Sequence, residues 1–142
     1  MTIKITLASG AIENTKADVL VVPVGLSKLA SDPNIAALDR SLDGQLTAVC
    51  ARAEFVGRTD QVCEIVTLGR IASTRLVLIG TGEQVPDTAA MRHIAACAAR
   101  IASGSAAATL AFVIPWKLEA AELRPVAEGL VLGAYRFDRY FT

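Results

Sequence analysis

Six consecutive residues, Val19-Leu20-Val21-Val22-Pro23-Val24, carry no polar or charged side chain. A half-exposed strand alternates apolar and polar positions, so a continuous run suits a central strand covered on both faces. Such a strand needs a layer on each side of its sheet, which restricts the chain to folds that also supply helices. Pro23 lacks an N–H and is expected at the strand's end or at an irregularity.

The flanking segments supply the rest. Ile3, Ile5 and Leu7 alternate with Lys4 and Thr6, a half-buried strand that ends at the Ser9-Gly10 turn. Pro33 suits a first helical turn, and Ile35, Leu38, Leu42 and Leu46 recur at helical spacing. Asp43-Gly44 breaks that stretch into two helices; Cys50 and Ala53 continue the second, and Gly57 ends it. Val62 to Thr67 and Leu76 to Gly80 read as two strands. The connection between them is too short for a parallel crossover, so they are expected to pair antiparallel. Asp87 is placed to cap a helix whose apolar face is Met91, Ile94, Ala95, Ala98, Ile101 and Ala102, closed by Gly104. Leu110 to Ile114 reads as another buried strand. The last helix starts near Pro125 and turns Val126, Leu130, Ala134 and Phe137 inward. The order predicts a single α/β domain over residues 1–142: three layers, with helices on both faces of a mixed, mostly parallel sheet.

Composition excludes several function classes. Of 142 residues, 53% are apolar and 20% charged, which describes a globular chain with a full interior. Fourteen Lys and Arg offset fourteen Asp and Glu, so no net field draws in nucleic acid or an anionic membrane. No apolar run approaches the roughly eighteen residues of a membrane span. The three cysteines, Cys50, Cys63 and Cys97, match no zinc spacing and leave an odd count, which fits free thiols in the reducing cytoplasm.

Chemistry-bearing motifs are few. His93, the one histidine, lies four residues from Cys97 on one helix face, a legal half of a metal site. No second pair is indicated, and no metal or catalytic residue is assigned. Asp39 and Asp43 share a helix face and read as solvated carboxylates. Gly80-Thr81-Gly82 follows a buried strand and precedes a helix, where loop N–H groups can cradle an anion. Four of the seven aromatic residues, Tyr135, Phe137, Tyr140 and Phe141, crowd the last eight positions. Chain ends are usually polar, so this end is expected to pack on something, its own core or a partner.

A resemblance runs along nearly the whole chain. The segment from Glu128 to Tyr140 (EGLVLGAYRFDRY) resembles the end of the amino-terminal domain of leucine (cytosol) aminopeptidases. Ala17 to Val24, Ala37 to Gly44, Glu54-Phe55 with Gly57, and Leu76 to Gly82 are similar to further family segments, in the same order. The resemblance implies a macro-domain-like fold and an accessory role. It also implies a partner, a carboxyl-terminal catalytic domain of the same polypeptide, with two divalent metals (Mn or Zn) in that domain, and a cytoplasmic homohexamer. The family's Asn-Thr-Asp-Ala-Glu-Gly-Arg metal motif is absent, so no cofactor is expected in this chain and no family catalytic residue is carried over. Tyr135, Phe137, Tyr140 and Phe141 become candidates for the interdomain contact.

Two alternatives stand beside that reading. One is a stand-alone nucleotide- or anion-binding module. Against ADP-ribose in particular, Ala11 stands where macro domains commonly carry the adenine-binding aspartate, and Val22-Pro23-Val24-Gly25 replaces their amide-rich strand end. The other is DNA binding, which the neutral charge opposes.

Overall fold

The computed structural model describes residues 11–104, 107, 109–115, 121 and 123–141, with side chains up to Gly133 in the last helix. The expected strand from Ile3 to Leu7 and its turn lie outside the described residues.

The apolar run forms β1, Val19–Gly25, with every residue from Val19 to Val24 buried. Two short helices follow. Asp32 caps α1 (Pro33–Ser41): its carboxylate accepts the N–H groups of Asn34 at 2.8 Å and Ile35 at 3.3 Å, and Pro33 occupies the first position. Asp43 and Gly44 both adopt positive φ, 55° and 78°, and separate α1 from α2 (Gln45–Arg52), the expected break. Gly44 has no side chain to cap α2. Asp39 reaches across from α1 instead, accepting the Thr47 N–H at 3.0 Å and the Thr47 hydroxyl at 2.7 Å. Asp43 pairs with Arg70.

β2 (Val62–Val66) and β3 (Arg75–Gly82) pair antiparallel as expected, from Val62 opposite Ile79 to Val66 opposite Arg75. The turn between them is tied down by buried hydroxyls. Thr67 donates to the carbonyls of Ser73 at 2.5 Å and Thr74 at 2.9 Å, and Ser73 donates to the carbonyl of Thr15 at 2.5 Å. α3 (Thr88–Gly104) starts beside Asp87, whose carboxylate accepts the Ala90 N–H at 2.8 Å. β4 is Leu110–Phe112, shorter than expected: one further bond, Val113 N–H to the Val21 carbonyl at 2.9 Å, precedes Pro115, which has no N–H to extend the ladder. α4 is Leu123–Phe141, with Pro125 in its first turn.

Among the described residues the sheet order is β2-β3-β1-β4, with β1 parallel to both neighbours. Two parallel pairings and one antiparallel pairing make the sheet mixed and mostly parallel. Pro23 lies within β1, opposite Ile79 of β3 and one residue before the register shift between Val24 and Gly25, so it sits beside an irregularity as expected. It is tolerated there because β4 pairs only as far as Val21, so no partner strand misses the absent N–H.

Helices cover both faces. Leu20, Val22 and Val24 point with Leu76 and Leu78 toward Ile35, Leu38, Leu42 and Leu46 of the first helical pair. On the opposite face Val19, Val21, Val77 and Ile79 meet Ile94, Ala98 and Ala102 of α3. α3 buries more than the single apolar stripe expected of it, since Ala96 and Ala99 are also buried. They lie against α4, where Gly129 and Gly133 allow backbone-close packing. A Cβ on Gly129 would sit 2.2 Å from the Arg92 carbonyl oxygen, and one on Gly133 2.4 Å from that of Ala96. These glycines, four apart on one helix face, are why the segment reads EGLVLG.

Candidate functional site

In an open α/β sheet, ligands gather at the carboxyl ends of the strands. Here those ends, Gly25 of β1 and Gly80 to Gly82 of β3, lie under the connection from α2 to β2. The approach is close enough to require glycine. A Cβ on Gly80 would fall 1.9 Å from the Arg58 carbonyl oxygen, and one on Gly57 2.3 Å from that of Gly25. The Gly80 N–H donates to the Gln61 carbonyl at 2.8 Å and the Gly82 N–H to the Gly57 carbonyl at 3.0 Å. Two of the three residues singled out as an anion cradle therefore spend their amides on this connection. Thr81, between them, is half-buried near the end of β3.

The connection is organised by one side chain. Gln61 Oε1 accepts three successive backbone N–H groups, Val56 at 3.0 Å, Gly57 at 3.1 Å and Arg58 at 3.0 Å, and Gln61 Nε2 donates to the Glu54 carbonyl at 3.1 Å. Sequence reading passed over Gln61, because glutamine in a polar loop carries no pattern of its own.

The histidine cluster sits nearby. His93 Nε2 lies 3.1 Å from Asp60 Oδ1 and 3.6 Å from Cys97 Sγ, and Arg100 donates to Cys97 Sγ at 3.0 Å. The i, i+4 pair is thus brought together as its spacing suggested, and the fold adds Asp60. The set is a poor fit for a divalent metal. Asp60 and Cys97 both address the same nitrogen of His93, and the Arg100 guanidinium occupies the sulfur. Among the described residues no three His, Cys, Asp or Glu side chains group as a metal site.

Cys50 and Cys63 are buried free thiols in the core beneath α2. Burial pushes the Cys50 thiol from 9.0 up to about 12, helped by Cys63 beside it; burial also raises Cys63. High thiol pKa values leave little thiolate and make both poor nucleophiles.

Two hollows remain. A cavity of about 210 Å³ lies between the loop after β1 and α2, lined by Leu29, Ile35, Leu46, Cys50 and Phe55 with the Thr47 side chain. It is apolar, and the Thr47 hydroxyl is already donated to Asp39. A shallow groove of about 540 Å³ runs along the outer side of α4, lined by Arg92, Ala127, Glu128, Val131 and Leu132. Val131 and Leu132 are 42% and 45% exposed, and Arg92 and Glu128 pair at 3.6 Å beside them. The groove lies on the same helix as Tyr135, Phe137, Tyr140 and Phe141, whose side chains are outside the described residues. Among the described residues no helix is long and apolar enough to cross a membrane.

Residues 21–142 match the family described as "Cytosol aminopeptidase family, N-terminal domain". A protein of Streptomyces coelicolor named "Probable cytosol aminopeptidase" is 34% identical over 145 residues, covering 96% of this chain and 27% of that protein. "Leucine aminopeptidase 1" of Arabidopsis thaliana is 30% identical over 136 residues, covering 88% and 26% respectively. Among solved structures, a mutant tomato leucine aminopeptidase superposes with a TM-score of 0.77 at 23% identity, over 89% of this chain and 27% of that one. The macrodomain of Mycobacterium tuberculosis DarG superposes with a TM-score of 0.66 at 16% identity, over 92% and 90%. Both superpositions speak for the fold, which is macro-domain-like. The chain spans about a quarter of the length of the curated relatives it matches.

Proposed function

Because the chain belongs to the cytosol aminopeptidase family, as its amino-terminal domain, we propose that it is the accessory, non-catalytic domain of a metal-dependent leucyl aminopeptidase of the cytoplasm. The observation that carries this reading is the family match together with coverage: this chain accounts for 27% of the Streptomyces coelicolor relative. In this proposal the two divalent metals, Mn or Zn, and the chemistry that releases amino-terminal residues reside in a carboxyl-terminal domain. Residues 1–142 are then one folded unit that packs on that domain, supports a hexamer and shapes access to the active site.

α4 is the element suited to the contact. Its inner side is fixed to α3 through Gly129 and Gly133, while Ala127, Val131 and Leu132 leave an apolar strip outward. Tyr135, Phe137, Tyr140 and Phe141 extend the same helix with large aromatic groups, the residue type that dominates interface energetics. An excess of exposed apolar surface beside one ion pair is what an intramolecular docking surface needs.

The test is association with a separately produced carboxyl-terminal portion of the Streptomyces coelicolor relative, followed by calorimetry. Saturable one-to-one binding is expected, weakened at least about tenfold by Val131→Asp combined with Leu132→Asp. Both residues are exposed, so the isolated domain should keep its stability to within about 0.5 kcal/mol. Binding indifferent to the double variant would remove α4 from the contact, and no binding would remove the docking role. Nothing in the geometry favours the stand-alone anion module at Gly80 to Gly82, whose outer amides are already bonded.

A further inference from the structure

The three N–H groups that converge on Gln61 Oε1 outnumber the lone pairs of the amide oxygen that accepts them. An amide oxygen has two lone pairs, and here it faces Val56, Gly57 and Arg58 at 3.0–3.1 Å. Successive backbone N–H groups pointing at one spot form the concavity that binds anions elsewhere in proteins. A charged oxygen satisfies such donors better than a neutral one, because hydrogen bonds to an ionised acceptor are shorter and roughly twice as strong.

We propose that the amides of Val56, Gly57 and Arg58 form an oxyanion site, held shut by the Gln61 side chain, at the carboxyl end of the central strands. The ligand class is a group bearing a phosphate or carboxylate oxygen. Several features make this a built site. The connection is pinned to the sheet by Asp60 N–H to the Gly80 carbonyl at 3.2 Å, Gly80 N–H to the Gln61 carbonyl at 2.8 Å and Gly82 N–H to the Gly57 carbonyl at 3.0 Å. The donors are therefore fixed in place and need no reorganisation to receive an anion. Arg58, which supplies the third amide, is an exposed residue. Asp60, two residues on, is turned away toward His93, its Oδ1 3.1 Å from His93 Nε2. The Gln61 amide competes as a tethered occupant: it is always at hand, but binds each donor more weakly than an anion would. The site thus opens only when an anion displaces Gln61, and the Gln61 Nε2 bond to Glu54 breaks with it. This inference is independent of the peptidase reading, since it rests on the loop alone.

Amide-resolved NMR of the 142-residue chain tests it, with inorganic phosphate as titrant and sodium chloride at matched ionic strength as control. In the wild type, phosphate should move the amides of Val56, Gly57 and Arg58 on one saturable curve, together with the Gln61 side-chain amide. Chloride should not. In Gln61→Ala the apparent dissociation constant should fall at least about tenfold, because the tethered competitor is gone. A parallel titration with acetate separates carboxylate from phosphate preference; saturation at the same amides with either anion supports the site. Equal affinity in a folded Gln61→Ala, or shifts centred elsewhere, overturns it. If the variant loses the dispersed signals of residues 54–61, the wild-type titration decides alone: no saturable, joint movement up to about 100 mM phosphate, an affinity weaker than any useful binding energy, overturns the proposal.

Discussion

On one face of the sheet, α1 and α2 press Ile35, Leu38, Leu42 and Leu46 onto Leu20, Val22 and Leu78; on the other, α3 and α4 meet each other through Ala95, Ala96, Ala99, Gly129 and Gly133. The first layer is held by side-chain volume removed from water. The second is held by the absence of volume, which lets two backbones approach until carbonyl oxygens touch the glycine Cα positions. A leucine-filled interface tolerates nothing smaller, because a deletion leaves a cavity. A glycine-filled interface tolerates nothing larger, because the obstacle is backbone and cannot swing aside.

That difference is open to attack from both sides. The largest effect is expected from Gly129→Val combined with Gly133→Val, which sets Cβ atoms against the carbonyls of Arg92 and Ala96. The pair should cost about 4 kcal/mol in urea unfolding, and hydrogen exchange in α4 should rise while β1 and β3 stay protected. Next comes Leu38→Ala, on the buried, sheet-facing side of α1, with an expected loss of about 3 kcal/mol in the same assay. If Leu38→Ala were silent while the glycine pair was lethal, the first layer would be looser than its burial implies.

The buried thiols give a pH-dependent version of the same contrast, since they lie only in the first layer. Cys50 holds its proton up to about 12 in the fold against 9.0 in an unfolded chain, through burial and the neighbouring Cys63. A raised thiol pKa contributes stability that is complete below pH 9.0 and is lost as pH rises toward 12. Thermal melts should therefore be flat up to about pH 9 and decline above it, and Cys50→Ala should flatten the decline relative to its own neutral value. The smallest effect is expected at the seam between α1 and α2. Asp39→Ala removes the acceptor for the Thr47 N–H and hydroxyl and should cost about 1 kcal/mol, read as a shift in the urea midpoint.

What the sequence made legible follows the same division. Period and local chemistry are visible along the chain, so β1, the antiparallel pair β2 and β3, the break at Asp43-Gly44 and the caps at Asp32 and Asp87 have clear signatures. Side chains whose partners come from afar do not. Asp39 reads as a solvated carboxylate until α2 folds back on α1, and Ser73 reads as a turn serine until Thr15 is placed against it. Gly129 and Gly133 sit in a motif legible as a resemblance, yet their role depends on α3 alanines more than twenty-five residues away in sequence. The same reason hid Gln61. The glycine turn at Gly80 to Gly82 drew attention because its spacing is local, whereas the connection that consumes its amides is some twenty residues upstream and carries no regular pattern.

In the proposed function, this chain supplies a docking domain and no peptidase chemistry of its own. The most direct test is hydrolysis of leucine p-nitroanilide by the purified 142-residue chain supplied with manganese, with mass spectrometry to establish that no longer species is present. No release of nitroaniline above the buffer rate is expected. Turnover that tracks the 14.9 kDa species through purification would contradict it.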